Sequence, residues 1–187
     1  MSEARLQEAL DHLDIRRVLA EYCHACDRAD GAMMAALYAG DDSFDDHGSV
    51  KAPGPEYAGI MTKLIEERTE AAWHILGQSI INVDGDRAAA ETFFLAYFRL
   101  RAADGGAPQL NQLAGRFVDR LQRIDGRWKI KHRTCVRDVS LTQTIEKDAY
   151  AAYGFVGGRR DRDDPGAALL GLAHNRAPST AGENSAT

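Results

Sequence analysis

The sequence predicts an α+β domain, with helices first and a curved antiparallel sheet afterwards, the helices lying on one face of the sheet. Three observations carry this prediction. Over residues 3–70 apolar side chains recur at three- and four-residue steps. From Trp73 onward they give way to long runs rich in Thr, Ile, Val, Phe and Tyr. Turn signals at Asp84-Gly85-Asp86 and Asp125-Gly126 join consecutive runs, as in a meander.

Taken in order, residues 3–29 read as helix, with Leu6, Leu10 and Leu13 and then Val18, Tyr22 and Ala25 in step. Asp11 or Asp14 is a candidate cap for an internal restart, which would make two helices with a bend. Asp30-Gly31 ends the pattern, and Asp30 is placed to cap a short second helix over Ala32–Ala39. Ser43–His47 is a candidate short strand, and Ala52–Pro55 reads as a loop. Glu56–Glu70 is helical again, with Tyr57, Ile60, Met61, Leu64 and Ile65 on one face. Four long strands follow: Trp73–Val83, Arg87–Arg101, Leu110–Ile124 and Trp128–Leu141, with a loop at Asp104–Pro108. Residues 142–157 receive no assignment. The domain is expected to span 1–157, and 158–187 to form a flexible tail in which Leu169, Leu170 and Leu172 are candidates for a short docking helix.

Composition narrows the function classes. Hydrophobic content of 44% and charged content of 27% are ordinary for a soluble globular chain. A net charge of -5 argues against broad nucleic-acid binding, which needs a basic face. The amphipathic N-terminus has no apolar signal core, and no run reaches the ~20 apolar residues of a membrane span, so a cytoplasmic protein is expected. The three cysteines, Cys23, Cys26 and Cys135, are expected to be reduced thiols. Cys23 and Cys26 form C-x-x-C inside a helical pattern, which is the wrong context for a redox pair, and no second pair completes a zinc site. With no Gly-rich phosphate loop either, no metal, nucleotide or redox cofactor is expected.

The segments IRRVLAEYCHACDRAD (15–30), FDD, HILGQSIINVDGDRAAAETFFLAYFR and GRFVDRLQRIDGRWKIKHRTCVRD resemble, in this order, the SnoaL-like proteins of the nuclear-transport-factor-2-like superfamily. The resemblance covers roughly residues 10–140. It implies a cone: a curved sheet with the N-terminal helices on its concave face, enclosing a pocket. Similar enzymes in that superfamily are a hexachlorocyclohexane dehydrochlorinase, scytalone dehydratase and a bile-acid 7α-dehydratase. The resemblance implies an aspartate near the end of the first helix and a histidine at the start of the first long strand, matched here by Asp27 and His74. It also implies roles for an arginine in the last long strand and a tyrosine ahead of the aspartate, matched by Arg133 and Tyr22.

The chemistry agrees with such a pair. A base that takes a proton from carbon in a dry pocket needs a pKa near neutrality, and histidine supplies it. A carboxylate on the other ring nitrogen fixes the tautomer and stabilises the imidazolium as it forms. The bland alternative for His74 is a satisfied core histidine, and for Asp27 a helix-end ion pair. Arg133 reads either as a group for a leaving anion or oxyanion, or as part of a solvated face with Lys129, Lys131 and Arg137, which share its parity. Tyr22 reads as a hydrogen-bond donor to substrate or as core. His132 shares parity with Trp128 and Ile130 and reads as core, while His24 and His47 are assigned to surface or loop. Trp73, Leu76, Phe94 and Phe98 are the candidate apolar contacts of a substrate, with Phe93, Tyr97 and Phe117 as further candidates.

Both parities of Arg87–Arg101 are apolar: Phe94, Ala96 and Phe98 on one, Phe93, Leu95 and Tyr97 on the other. One would line the cone and the other would meet a second copy, so a homodimer or homotrimer is expected. The resulting expectation is a lyase of the dehydratase or dehydrohalogenase type acting on a small apolar cyclic molecule. A polyketide cyclase or ketosteroid-isomerase-like enzyme, and a non-catalytic ligand-binding or assembly domain, stand as alternatives.

Overall fold

A computed structural model gives the fold and describes residues 2–102, 106–146 and 150–170. The chain divides into two compact units, Met1–Lys147 and Asp148–Thr187. The first contains helix α1 (Glu3–Arg28), helix α2 (Gly31–Ala36), strands β1 (Phe44–Asp46) and β2 (Lys51–Pro53), helix α3 (Gly54–Arg68), and long strands β3 (Thr69–Asp84), β4 (Arg87–Leu100), β5 (Gln109–Ile124) and β6 (Arg127–Thr144). They form one curved, open sheet of six strands in the order β2-β1-β6-β5-β4-β3. All pairings are antiparallel except β1 with β6, which is parallel. The segment read as a loop at Ala52–Pro55 instead supplies β2 and the first turn of α3.

The hairpin turns form where the sequence places them. Gly85 takes φ 57° between β3 and β4, and Asp125 and Gly126 take 50° and 75° between β5 and β6. Two consecutive left-handed residues are what a type I′ turn requires, and its twist matches that of the flanking strands. Asp30 caps α2 through Oδ1, which accepts from the Met33 amide at 2.9 Å. Gly54, at the start of α3, admits no side chain, because a Cβ there would lie 2.2 Å from the Tyr38 ring.

Helix α1 is continuous, without the restart considered at Asp11 or Asp14. It carries two stripes. Leu6, Leu10 and Leu13 are exposed, whereas Ile15, Val18, Leu19, Tyr22, Cys23 and Cys26 are buried against the sheet. Asp11 belongs to the buried stripe, one turn ahead of Ile15, and is only 3% exposed. Its Oδ1 accepts from Arg123 Nη1 at 2.7 Å and from Trp128 Nε1 at 3.2 Å. The Arg123 hydrogen bond, with help from Trp128 and Gln7, holds the Asp11 carboxyl below the ordinary value of 3.8 against the opposing effect of burial. A depressed folded-state pKa contributes stability that is present above 3.8 and is lost as pH falls through the folded value. Asp11→Ala is therefore expected to cost about 2–4 kcal/mol by leaving the buried Trp128 N–H without its acceptor and Arg123 with only Asp86 and Gly85. Urea unfolding at neutral pH and at pH below 3.8 checks this, with the wild-type advantage shrinking in acid.

The second unit holds a 3-10 turn (Tyr150–Tyr153) and helix α4 (Pro165–Leu170), on which Leu169 and Leu170 are exposed. Within it the Arg159 guanidinium donates to both oxygens of Asp161. The rest of the expected tail, with Leu172, lies outside the described residues, as does part of the loop at Asp104–Pro108. Among the described residues, no helix is long and apolar enough to cross a membrane.

Candidate active site

Asp27 stands in the last turn of α1, where a carboxylate opposes the negative end of the helix dipole. A specific partner offsets that cost. Strand β3 is the edge of the sheet, so one of its backbone rows is open, and α1 packs along it. Asp27 Oδ2 accepts the His74 backbone N–H at 2.9 Å, and Oδ1 lies 2.6 Å from His74 Nδ1. The two side chains are 17% and 7% exposed. A neutral imidazole with Nδ1 against a carboxylate donates from Nδ1 and keeps its lone pair on Nε2. Nε2 has no hydrogen-bond partner among the described residues. The contact between residues 47 positions apart, which spacing alone leaves open, is thus made.

The side chains around His74 follow strand alternation. Phe94 and Phe98 from β4 contact its ring at centroid distances of 6.1 and 5.6 Å, and Leu76, two residues along β3, is half-buried on the same face. Phe117 from β5 stacks on Phe94 at 4.4 Å. Trp73 belongs to the other face. It is 41% exposed and stacked on Tyr97 at 5.4 Å, so it does not line the interior with His74. Neighbouring residues of a strand point to opposite sides, and His74 takes the inner one. Phe93 shares the outer face and is 40% exposed.

Arg133 is inside, not on a solvated face. Residue Arg120 pairs with His132 and Leu121 with Ile130, which leaves Lys131 as an extra residue in β6. This bulge inverts the parity of the residues that follow, as far as the second register shift at Asp138. Trp128 and Ile130 face inward before it and Arg133 after it, while His132 is turned to the half-buried outer side and stacks on Phe44 at 5.8 Å. The Arg133 side chain is 0% exposed. Nε and Nη2 donate to the two oxygens of Asp119 at 2.7 and 2.8 Å, and the guanidinium carbon lies over the Tyr22 and Phe117 rings, 4.0 and 4.1 Å from their centroids. Nη1 has no partner. Burial works against the guanidinium charge, but attraction and hydrogen bonds from Asp119 outweigh it and hold the pKa well above its ordinary value.

Tyr22 is buried, and its Oη donates to Tyr57 Oη at 3.4 Å. Burial holds the Tyr22, Tyr38 and Tyr57 phenols far above their usual pKa, so all three remain hydrogen-bond donors. Tyr38 donates to Asp45, whose other oxygen bonds His47 Nδ1. His47 lies in the loop between β1 and β2, but its side chain is turned inward and only 16% exposed, and His24 is half-buried within α1. The available signal was the spacing of Asp45 and His47, which puts both on one side of an extended chain.

Cys26 Sγ, with donor atoms of Asp27 and His74, forms a group in which all lie within 4.8 Å. However, the 2.6 Å between Nδ1 and Oδ1 is a hydrogen bond, too short for two ligand atoms spread around one ion. Cys23 and Cys26 are buried and form no disulfide among the described residues, and desolvation pushes the Cys23 thiol up to about 12, which suits an inert core residue.

The model of a family described as a SnoaL-like domain matches residues 7–134. No curated protein matches the chain. Similar solved structures include a scytalone-dehydratase-like protein from Novosphingobium aromaticivorans, with 20% identity and TM-score 0.63 over 76% of this chain and 92% of that one. A hexachlorocyclohexane dehydrochlorinase from Novosphingobium barchaimii has 18% identity and TM-score 0.66 over 77% and 98%. A protein of unknown function from Mycobacterium tuberculosis has 22% identity and TM-score 0.59 over 69% and 77%. Identities of this size speak for the fold and leave the reaction to the site.

Proposed function

The chain belongs to the SnoaL-like family, and we propose that it is a cofactor-independent lyase that removes a proton from carbon in a small, apolar, cyclic substrate and expels a leaving group. The observation that carries this reading is the 2.6 Å contact of His74 Nδ1 with Asp27 Oδ1, which leaves Nε2 free to act as base. Asp27 holds the productive tautomer and stabilises the imidazolium that forms. Leu76, Phe94 and Phe98 supply apolar contacts and keep water away from the reacting carbon. Arg133 offers the unpartnered Nη1 to developing negative charge, with the rest of its fork locked by Asp119. Tyr22 is the neighbouring neutral donor for a carbonyl or hydroxyl. An isomerase or cyclase would use the same base and return the proton elsewhere. The deciding experiment is elimination assayed in deuterated water for the wild type, His74→Ala and Asp27→Asn. Retained turnover in either variant would overturn the reading, and a ligand that copurifies without turnover would favour a binding domain.

We further propose that the outer sheet face joins copies of the chain. Trp73, Ile75, Phe93, Leu95 and Val118 are between 38% and 52% exposed on it, and Ile75 pairs with Leu95 across β3 and β4. Leu95→Asp is expected to shift the protein to monomer in light scattering while leaving its helix and strand content intact. An unchanged mass would place the contact elsewhere.

A further inference from the structure

Helix α1 carries more apolar surface than its own domain uses. Asp11, Ile15, Val18, Leu19 and Tyr22 form the buried stripe. At about 100° per residue, Leu6, Leu10 and Leu13 fall on the opposite side, with Glu3 ahead of them and Arg17 and Ala20 behind. The three leucines are 45%, 46% and 65% exposed. Every residue from Ser2 to Leu10 is exposed, so the first two turns of the helix stand clear of the sheet that buries the rest. A helical stretch that short is marginal by itself, and packing of an apolar side is what holds such segments. Positions 3, 6, 10, 13, 17 and 20 alternate steps of three and four, the spacing of a seam that lies along a second helix.

We propose that this seam is covered by the same seam of a second copy, the two α1 helices running antiparallel about a two-fold axis beside Leu10. Leu10 then meets the partner's Leu10. Leu6 lies within about one residue's rise of the point opposite the partner's Leu13, and Glu3 lies opposite the partner's Arg17. A two-fold contact is self-complementary, so each of the flanking pairs forms twice. Charge selects the direction. Parallel helices would set Glu3 on Glu3 and Arg17 on Arg17, whereas antiparallel helices pair the opposite charges. The Arg17 side chain is 76% exposed, and its contact with Glu21 at 2.8 Å lies along the same helix, so it is accessible to a partner. A lipid surface fits the seam less well. Over residues 2–17 four carboxylates outnumber three arginines, the wrong balance for anionic headgroups. The seam is separate from the outer sheet face, and a chain that uses both contacts assembles beyond a pair.

The test measures self-association by sedimentation in the Leu95→Asp background, where the outer sheet face no longer contributes. Leu10→Asp, which brings two carboxylates together on the axis, is expected to weaken association by ~10²–10⁴-fold. Glu3→Arg and Arg17→Glu should each weaken it by ~3–30-fold, and the double variant should recover most of the loss. Effects inside one helix would add in the double variant, so only pairing between copies produces the recovery. A monomeric background, association indifferent to Leu10→Asp, or charge effects that add would each overturn the proposal. So would wild-type binding to phosphatidylglycerol vesicles that Leu10→Asp abolishes while self-association is unchanged, which would assign the seam to lipid. Should Leu10→Asp lose helix content by circular dichroism, disulfide trapping decides. Leu10→Cys alone is expected to give a linked pair on oxidation, and Leu6→Cys only together with Leu13→Cys. A link through Leu6→Cys alone means parallel helices and overturns the proposal, as does no link at Leu10→Cys.

Discussion

His74→Ala is expected to lower elimination by ~10³–10⁴-fold while the thermal midpoint stays within a few degrees of wild type. The side chain is 7% exposed and packs against Phe94 and Phe98 with ring centroids 6.1 and 5.6 Å apart, so melting is measured beside turnover to separate loss of the base from loss of packing. Asp27→Asn should be as damaging, for a more specific reason. The His74 backbone N–H at 2.9 Å needs an acceptor, and only the amide oxygen of the variant can serve. That turns the amide NH2 toward Nδ1, moves the ring proton to Nε2, and removes the lone pair that would take the substrate proton. Burial and shape barely change, so a loss of turnover with intact melting separates the wrong tautomer from a damaged fold. Near-wild-type rates in either variant would mean that this imidazole is structural.

Asp119→Ala should produce a large stability loss. Arg133 and Asp119 are both 0% exposed, and the carboxylate takes two of the guanidinium's nitrogens. Removing one partner of a buried ion pair strands the other charge and costs about 3–5 kcal/mol. For a domain of this size that is a fall of roughly 6–20 °C in melting temperature. The Tyr22 and Phe117 faces at 4.0 and 4.1 Å soften the penalty without removing it. The double variant Arg133→Met with Asp119→Leu should recover part of the loss, since an apolar pair of similar volume replaces the desolvated charges. Scanning calorimetry of the single and double variants checks both statements. A single variant that melts like the wild type would show that Arg133 finds another counter-ion.

Much of this is legible in the sequence alone. The steps along α1, the capping role of Asp30 and the left-handed turns at Gly85 and Asp125-Gly126 are local, so neighbouring residues carry the information. Asp27 and His74 were identified through a family resemblance, and the physics of the pair explains why those two residue types recur together. What escaped depends on register. Arg133 and His132 exchange sides because one extra residue, Lys131, sits in β6, and nothing in the local pattern marks it. Trp73 looked like pocket lining because both parities of the strands are apolar. Asp11 looked like a cap because its partners, Arg123 and Trp128, are more than a hundred residues away. His47 does lie in a loop, but its inward setting escaped because it is built by Tyr38, Tyr57 and Phe117, from three other parts of the chain.

The division follows the range of the forces. Residues close in the chain determined the helices, the strands and the tight turns, since propensity, capping and left-handed φ act over a few positions. Only the tertiary structure decided which charges are buried and which imidazoles meet a carboxylate. Desolvation is offset only by a partner at hydrogen-bond distance, and strand register, with its bulges, chooses that partner.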